Sequence, residues 1–139
     1  MTEFSPRIGA RSCDQSAGSR GLVGFLRAHF VQAMEGEERF HTVYLDETQG
    51  FLGDAPIGEG SAGSLSVRIR DVIGHAITLD ARKIIVAHNH PSGECRPSQI
   101  DIDATARLKS VASAMDIELL DHLIFTEEAV YSMRAGGKL

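Results

Sequence analysis

The sequence predicts an α/β protein in which helices cover a mixed β-sheet. Three observations favour it. Helical and strand periodicities alternate along the chain in the order α, β, β, α, β, α, β, β. The strand segments are short and rich in β-branched and aromatic residues. The 139 residues suffice for one compact domain and are too few for two ordinary ones. We therefore expect an arm over residues 1–20 and one domain over residues 21–139.

The first half of the chain predicts one helix and a hairpin. Residues 1–20 are rich in Ser, Gly and Arg, which is typical of a mobile arm. Apolar residues at helical spacing predict a helix over Leu22–Met34, ended by Gly36. Phe40–Asp46 has apolar residues on both alternating sets, as in a strand covered on both faces. Gly50–Ile57 is its expected hairpin partner.

The middle of the chain predicts a second helix and a buried strand. After a glycine-rich turn, GEGSAGS, Ser64 is the expected N-cap of a helix that ends near Leu79. The apolar residues expected on one side of this helix are Leu65, Ile69, Val72, Ile73 and Ala76. Lys83–Ala87 then forms a short buried strand, which leads directly into His88 and a loop with two prolines and a glycine.

The last third predicts a helix and two strands. The helix covers Gln99–Met115, and the residues at apolar helical spacing are Ile100, Ala104, Leu108, Val111 and Met115. Two strands follow, Glu118–Phe125 and Val130–Met133, joined by a turn that contains two glutamates. An exposed edge strand near the C-terminus would offer a surface for homo-oligomer formation.

Charge and composition exclude several classes of function. The formal net charge is −5, and no segment concentrates Lys and Arg into the basic stripe that phosphate binding needs. Nucleic-acid binding by this chain alone is therefore disfavoured. No apolar run approaches the roughly 20 residues of a membrane span, and no signal-peptide core is present, so we expect a cytoplasmic protein. Two cysteines, Cys13 and Cys95, do not make a disulfide framework.

The segment that carries chemistry is His88-Asn89-His90, followed by Ser98 and Asp101. Two histidines at positions i and i+2 of an extended chain project to the same side, so their imidazoles can meet at one ion. Asp101 lies in the first turn of the next helix, and the proline-containing loop can fold that turn against the strand end. Two nitrogens and one oxygen leave a fourth tetrahedral position for water, which is the pattern of catalytic zinc.

A second interpretation explains the same residues without a metal. Ser98 and Asp101 match the S/T-x-x-D/E signature of a helix N-terminus, where both side chains bond to free backbone N–H groups. A metal-binding carboxylate can also occupy the first turn of a helix. The spacing alone therefore leaves both interpretations open.

The segment HNHPSGECRPSQID resembles the H-x-H-x10-D signature of the JAMM metalloproteases, which are also called MPN-plus or JAB domains. It is most similar to the RadC-like branch, with HNHPSG, PSQID and TARL all present, and the similarity extends over about residues 36–135. The resemblance implies a three-layer α/β/α sandwich of the cytidine-deaminase-like type with a mixed β-sheet. It also implies zinc at one end of that sheet, held by His88, His90 and Asp101.

The resemblance further implies the catalytic groups and the substrate class. Glu38 matches the glutamate that accepts a proton from water and passes it to the leaving amine, whereas its neighbour Glu37 is expected to be a solvated charge. Ser98 would donate a hydrogen bond to the developing oxyanion. The expected activity is zinc-dependent hydrolysis of a peptide or isopeptide bond in a peptide or protein substrate. Alternatives are a non-catalytic interaction domain and an accessory role linked to DNA repair.

The remaining candidates receive modest roles. Cys95 could add a ligand to the metal, but an ordinary loop residue is the expectation because a fourth protein ligand would close the open position. Asp121-His122 could support a ligand from behind, although a hydrogen-bonded core histidine is favoured. The other three histidines have no partner at ligand spacing and receive no role: His29, His41 and His75. Nucleobase deamination is disfavoured, since the H-x-E and P-C-x-x-C motifs are lacking.

Overall fold

A computed structural model describes residues 21–30, 36–57 and 68–139. These residues confirm the predicted class and order of elements. The helices are α1 (Gly21–Phe30), α2 (Ile69–Thr78) and α3 (Gln99–Ala114). The strands are β1 (Phe40–Leu45), β2 (Phe51–Ile57), β3 (Lys83–Asn89), β4 (Glu118–Phe125) and β5 (Val130–Ser132).

The five strands form one mixed sheet in the order β2-β1-β3-β4-β5. β1 is antiparallel to both β2 and β3, which confirms the predicted hairpin. β3 and β4 are parallel and are connected through α3, while β5 is antiparallel to β4. Because β3 is the central strand and α3 follows it, the carboxyl end of β3 and the N-terminus of α3 meet at one edge of the sheet.

The helices lie on both faces of the sheet. α1 packs on one face through Leu22, Leu26 and Phe30, in a core that includes Ile85 and Ala87 of β3. α2 and α3 pack on the other face, in a core that includes Ile84 and Val86. Alternating residues of β3 thus enter two different cores. This explains why its sequence is apolar at consecutive positions, and it gives the chain three layers.

Aromatic and cationic contacts join α1 to the end of β4. The rings of Phe30 and Phe125 lie 5.3 Å apart. The guanidinium of Arg27 lies over the Phe125 ring and donates a hydrogen bond of 2.8 Å to the carbonyl of Thr126. The predicted helix extended to Met34, but residues 31–35 lie outside the described part of the chain.

The boundaries of two elements differ from the prediction. α2 begins at Ile69 and is preceded by Arg68, whose side chain makes no capping hydrogen bond; Ser64 and the GEGSAGS turn lie outside the described residues. β3 continues two residues beyond Ala87, because His88 pairs with Phe40 on one neighbouring strand and with Ile124 on the other.

The buried face of α3 also differs from the prediction. Ile100 and Met115 are 67% and 49% exposed, although both were expected to pack inward. The buried residues of this helix are Asp101, Ala104, Thr105, Leu108 and Ala112. Two polar side chains of this helix, those of Asp101 and Thr105, therefore face the sheet. A prediction based only on the spacing of apolar residues misses a buried face that includes polar ones.

The edge strand β5 is buried rather than exposed, since Val130, Tyr131 and Ser132 are at most 4% accessible. β5 therefore does not support the oligomer that was expected from an exposed edge strand near the C-terminus. Homo-oligomer formation stays a prediction. Among the helices in the described ranges, none combines the length and the apolar character needed to span a bilayer.

The corrected face of α3 can be tested by comparing two truncations. We expect Leu108→Ala to lower the free energy of unfolding by about 2–5 kcal/mol, because it leaves a cavity in a fully buried position. Val111→Ala, on the same helix but 36% exposed, should change it by less than about 1 kcal/mol. Denaturant unfolding measures both, and equal losses would contradict the assignment.

Candidate metal centre

Three of the predicted ligands meet where β3 ends and α3 begins. His88 is wholly buried on β3, His90 follows the strand, and Asp101 lies in the first turn of α3. The Nε2 atoms of the two histidines are 2.9 Å apart. The Asp101 Oδ2 atom is 3.1 Å from Nε2 of His90 and 3.5 Å from Nε2 of His88.

These separations suit a small metal ion. Four-coordinate zinc, with bonds of about 2.0–2.2 Å, holds neighbouring ligand atoms about 3.3 Å apart. The three atoms of His88, His90 and Asp101 lie within a few tenths of an ångström of that spacing. The donor set, two imidazole nitrogens and one carboxylate oxygen, is also one that zinc accepts. The residues present therefore fit a divalent cation.

The same aspartate caps the helix. Its Oδ2 atom accepts a hydrogen bond of 2.9 Å from the backbone N–H of Ser98, and its own N–H donates to the Ser98 hydroxyl at 3.0 Å. This is a reciprocal capping box. The two interpretations left open by the spacing are thus compatible, because the cap holds the Asp101 carboxylate in a position that faces both histidines.

A buried chain of hydrogen bonds sets the tautomer of His88. The Thr105 hydroxyl donates to the Asp101 carbonyl at 2.6 Å, so it must accept the 2.7 Å bond from Nδ1–H of His122. Burial, with the neighbouring His88, lowers the pKa of His122 well below its ordinary value, so this imidazole is neutral. Its Nε2 atom therefore accepts from Nδ1–H of His88 at 2.6 Å. We assign the lone pair of His88 to Nε2, facing the site.

A backbone carbonyl orients the second imidazole. Nδ1 of His90 lies 2.6 Å from the carbonyl oxygen of Glu94, which can only accept, so Nδ1 carries the proton. In neutral His90 the lone pair is again on Nε2, which is the atom next to Asp101. Both histidines thus present Nε2 to the same point, with Nδ1 held from behind, as metal-binding histidines usually do.

The site carries one buried negative charge. Burial acts to raise the pKa of Asp101, but the neighbouring imidazoles of His88 and His90, whose Nε2 atoms lie 3.5 and 3.1 Å from Oδ2, outweigh burial and hold the pKa far below its ordinary value. Burial acts to lower the pKa of His90, yet its hydrogen bond with Asp101 leaves that pKa raised. An ionised carboxylate beside two imidazoles is an arrangement that a proton or a metal cation stabilises.

Asn89 positions the predicted general base. Its amide oxygen accepts a 2.7 Å bond from the N–H of Arg39, and its amide nitrogen donates at 3.0 Å to the carbonyl of Glu37. These bonds hold the backbone on either side of Glu38 against the end of β3. The Glu38 side chain is 47% exposed, and its Oε1 atom lies 4.0 Å from Nε2 of His88. The ligand atoms of Glu38 and the three predicted ligands all lie within 4.8 Å of one another.

The open side of the site faces a surface cleft of about 530 Å³. The residues that line it are Glu38, His90, Pro91, Ser92, Glu94, Arg96, Pro97 and Ser98. Ser98 is exposed, and its hydroxyl accepts the capping bond, so the hydroxyl proton is not used in the cap. All five predicted site residues thus lie around one point, and their chemical roles stay predictions.

Sequence reasoning named two roles for His122, missed the role of Thr105 and did not anticipate the bonding of Cys95. His122 is a buried, hydrogen-bonded histidine, as favoured, and its ring also accepts the bond from Nδ1 of His88. Thr105, the threonine of the TARL segment, bonds to His122, and no role had been assigned to this threonine. Asp121 does not orient that imidazole; its carboxylate accepts from the N–H of His122 and from Ser132. Cys95 is not among the residues that could hold the metal, as expected, but its disulfide was not expected. It is fully buried and disulfide-bonded, so it offers no thiolate to a metal.

Comparison with known proteins shows what this chain is similar to. Residues 18–138 match the sequence model of the family described as RadC-like JAB domain. A UPF0758 protein of Ruegeria pomeroyi is 39% identical over 111 residues, which are 80% of this chain and 50% of that protein. The UPF0758 protein YkfG of Escherichia coli is 38% identical over 115 residues, 83% of this chain and 72% of that protein.

A UPF0758 protein of Aquifex aeolicus is 37% identical over 140 aligned residues, which cover 100% of this chain and 59% of that protein. The chain thus spans about half to three quarters of the relatives named here. The similarity to this relative extends over the whole chain, including the part that holds the candidate metal centre.

The hydrogen-bond chain behind His88 can be tested with two threonines. Thr105 and Thr78 each donate to the carbonyl four residues earlier in a helix, but only Thr105 also accepts from His122. We expect Thr105→Val to weaken zinc binding about 10- to 100-fold, because His122 loses the acceptor that fixes its tautomer. Thr78→Val should leave the affinity unchanged. Competition with a chelating dye measures both, and equal affinities would contradict the chain.

Proposed function

Since the chain belongs to the family of RadC-like JAB domains, we propose that it is a zinc-dependent metallohydrolase acting on peptide or isopeptide amide bonds. The observation that carries the proposal is the convergence of three ligand atoms, those of His88, His90 and Asp101, within 2.9–3.5 Å of one another. A carboxylate, that of Glu38, lies on the open side of this group.

His88, His90 and Asp101 would hold the ion. Zinc bound there would supply a Lewis acid that acidifies a water molecule near neutral pH and polarises the carbonyl of the substrate. Three protein ligands leave a coordination position for solvent, in contrast to the closed four-ligand sites of structural zinc. The buried disulfide sulfur of Cys95 does not compete for that position.

Glu38 is the proposed proton carrier. Its carboxylate is half-exposed at the cleft, within reach of solvent and of a substrate, while its backbone is fixed through Asn89. In the proposed reaction its Oε1 atom accepts a proton from the attacking water and then delivers it to the leaving amine nitrogen. Such proton transfer typically contributes about 10²- to 10⁴-fold to the rate.

Ser98 is the proposed oxyanion donor. Its hydroxyl is fixed by the N–H of Asp101 and lies at the same cleft as Glu38. The hydroxyl proton would bond to the carbonyl oxygen as negative charge develops on it, a contribution typically worth about 3 kcal/mol. The cap of α3 would thus position a ligand and an oxyanion donor with one pair of hydrogen bonds.

Two neighbouring glutamates give a matched test of the proton carrier. We expect Glu38→Gln to lower turnover of isopeptide-linked or peptide substrates at least about 100-fold while the chain keeps its metal, because the amide cannot accept the proton. Glu37→Gln should keep both activity and metal. Turnover is measured with fluorogenic substrates and metal content by elemental analysis.

The ligand variant completes this test. His90→Ala should lose both metal and turnover, because it removes a ligand. Loss of zinc in Glu38→Gln would instead make Glu38 a fourth ligand and refute its role as general base. A wild-type chain that holds zinc but cleaves no amide substrate would favour the non-catalytic interaction domain.

A further inference from the structure

A second group of potential metal ligands lies away from the site described above. Nε2 of His41 is 2.6 Å from Oδ2 of Asp54, and Nε2 of His29 is 3.6 Å from the same oxygen. The two imidazole rings are stacked with their centroids 4.0 Å apart. One ligand atom from each of the three residues lies within 4.8 Å of the others.

This group lies on the opposite face of the sheet from the first site. His41 alternates along β1 with Phe40, whose ring stacks on His88. His41 therefore points to the face covered by α1, as do its strand neighbours Val43 and Leu45. His29 is on the last turn of α1, and Asp54 is on the edge strand β2. The three residues thus come from three separate elements.

One of the two distances already matches the spacing of ligand atoms around an ion, and the other is shorter. The 3.6 Å between His29 and Asp54 exceeds a hydrogen bond but matches the separation of about 3.3 Å between neighbouring ligands of four-coordinate zinc. The shorter contact with His41 would have to widen by about 0.7 Å to reach that separation. Asp54 can rotate to allow this, because it is partly exposed on an edge strand.

The chemistry of the group favours a transition metal over other ligands. Two imidazoles and one carboxylate form a nitrogen-rich set that zinc accepts and that calcium or magnesium does not prefer. The last turn of α1, where His29 lies, carries the partial negative charge of a helix C-terminus, which favours a cation.

We propose that His29, His41 and Asp54 form a second zinc site, which joins α1 to β1 and to the edge strand β2. Solvent completes the coordination, since the described residues supply three ligands. The site is independent of hydrolysis, because it lies behind the sheet and shares no residue with the first centre. Its role is to hold α1 against β1 and β2.

The test removes the first site so that only the second is measured. The tag-free full chain carrying His90→Ala and Asp101→Asn is titrated with zinc in equilibrium dialysis, and circular dichroism verifies its fold. We expect this double variant, called the background chain below, to bind one equivalent of zinc. Adding His29→Ala or Asp54→Asn should weaken that binding at least about 100-fold, because one of three ligands is lost. His75→Ala, which removes another exposed helix histidine, should leave it unchanged.

The background chain lets the failure of this proposal be distinguished from the failure of the proposed function. Zinc in the background chain supports the second site even if the wild type cleaves no substrate. A background chain that binds no zinc would show that His29, His41 and Asp54 are only a hydrogen-bonded cluster, and would overturn the proposal. Binding that survives either His29→Ala or Asp54→Asn would overturn it as well.

Discussion

The hydrogen bond from Thr105 to the carbonyl of Asp101 sets the direction of the buried hydrogen bonds behind His88. Because a carbonyl can only accept, the proton positions of Thr105, His122 and His88 follow in turn, and Nε2 of His88 is left with its lone pair toward the site. Buried polar groups are costly unless they are paired. The need to satisfy these groups therefore fixes the orientation of the His88 imidazole at the candidate site.

The topology explains why these groups meet. A parallel pair, β3 and β4, joined through α3 places a strand end and a helix start at the same edge of the sheet. The capping box at Ser98 then holds Asp101 in the first turn, where it faces both histidines. The apolar cores on either side of β3 pack against this strand, and such packing helps to preorganise a site.

Local sequence patterns predicted the order of elements and brought His88, His90 and Asp101 together as candidates, because strand alternation and the spacing of these residues are local features. Glu38 came only from the resemblance to the family. The supporting groups could not be predicted in this way. His122 reaches His88 only through the parallel pairing of β4 with β3, and His41 reaches Asp54 only through the hairpin register. The polar face of α3 was missed for a related reason, since Asp101 and Thr105 are buried for their hydrogen bonds.

Anomalous diffraction at the zinc edge, from a crystal grown with zinc, tests the central claim most directly. We predict a peak about 2.0–2.2 Å from Nε2 of His88, Nε2 of His90 and Oδ2 of Asp101, with solvent as the fourth ligand. The Nδ1 atoms of both histidines should keep the hydrogen bonds seen here. Imidazoles that point apart, or a fourth protein atom bound to the ion, would contradict the account.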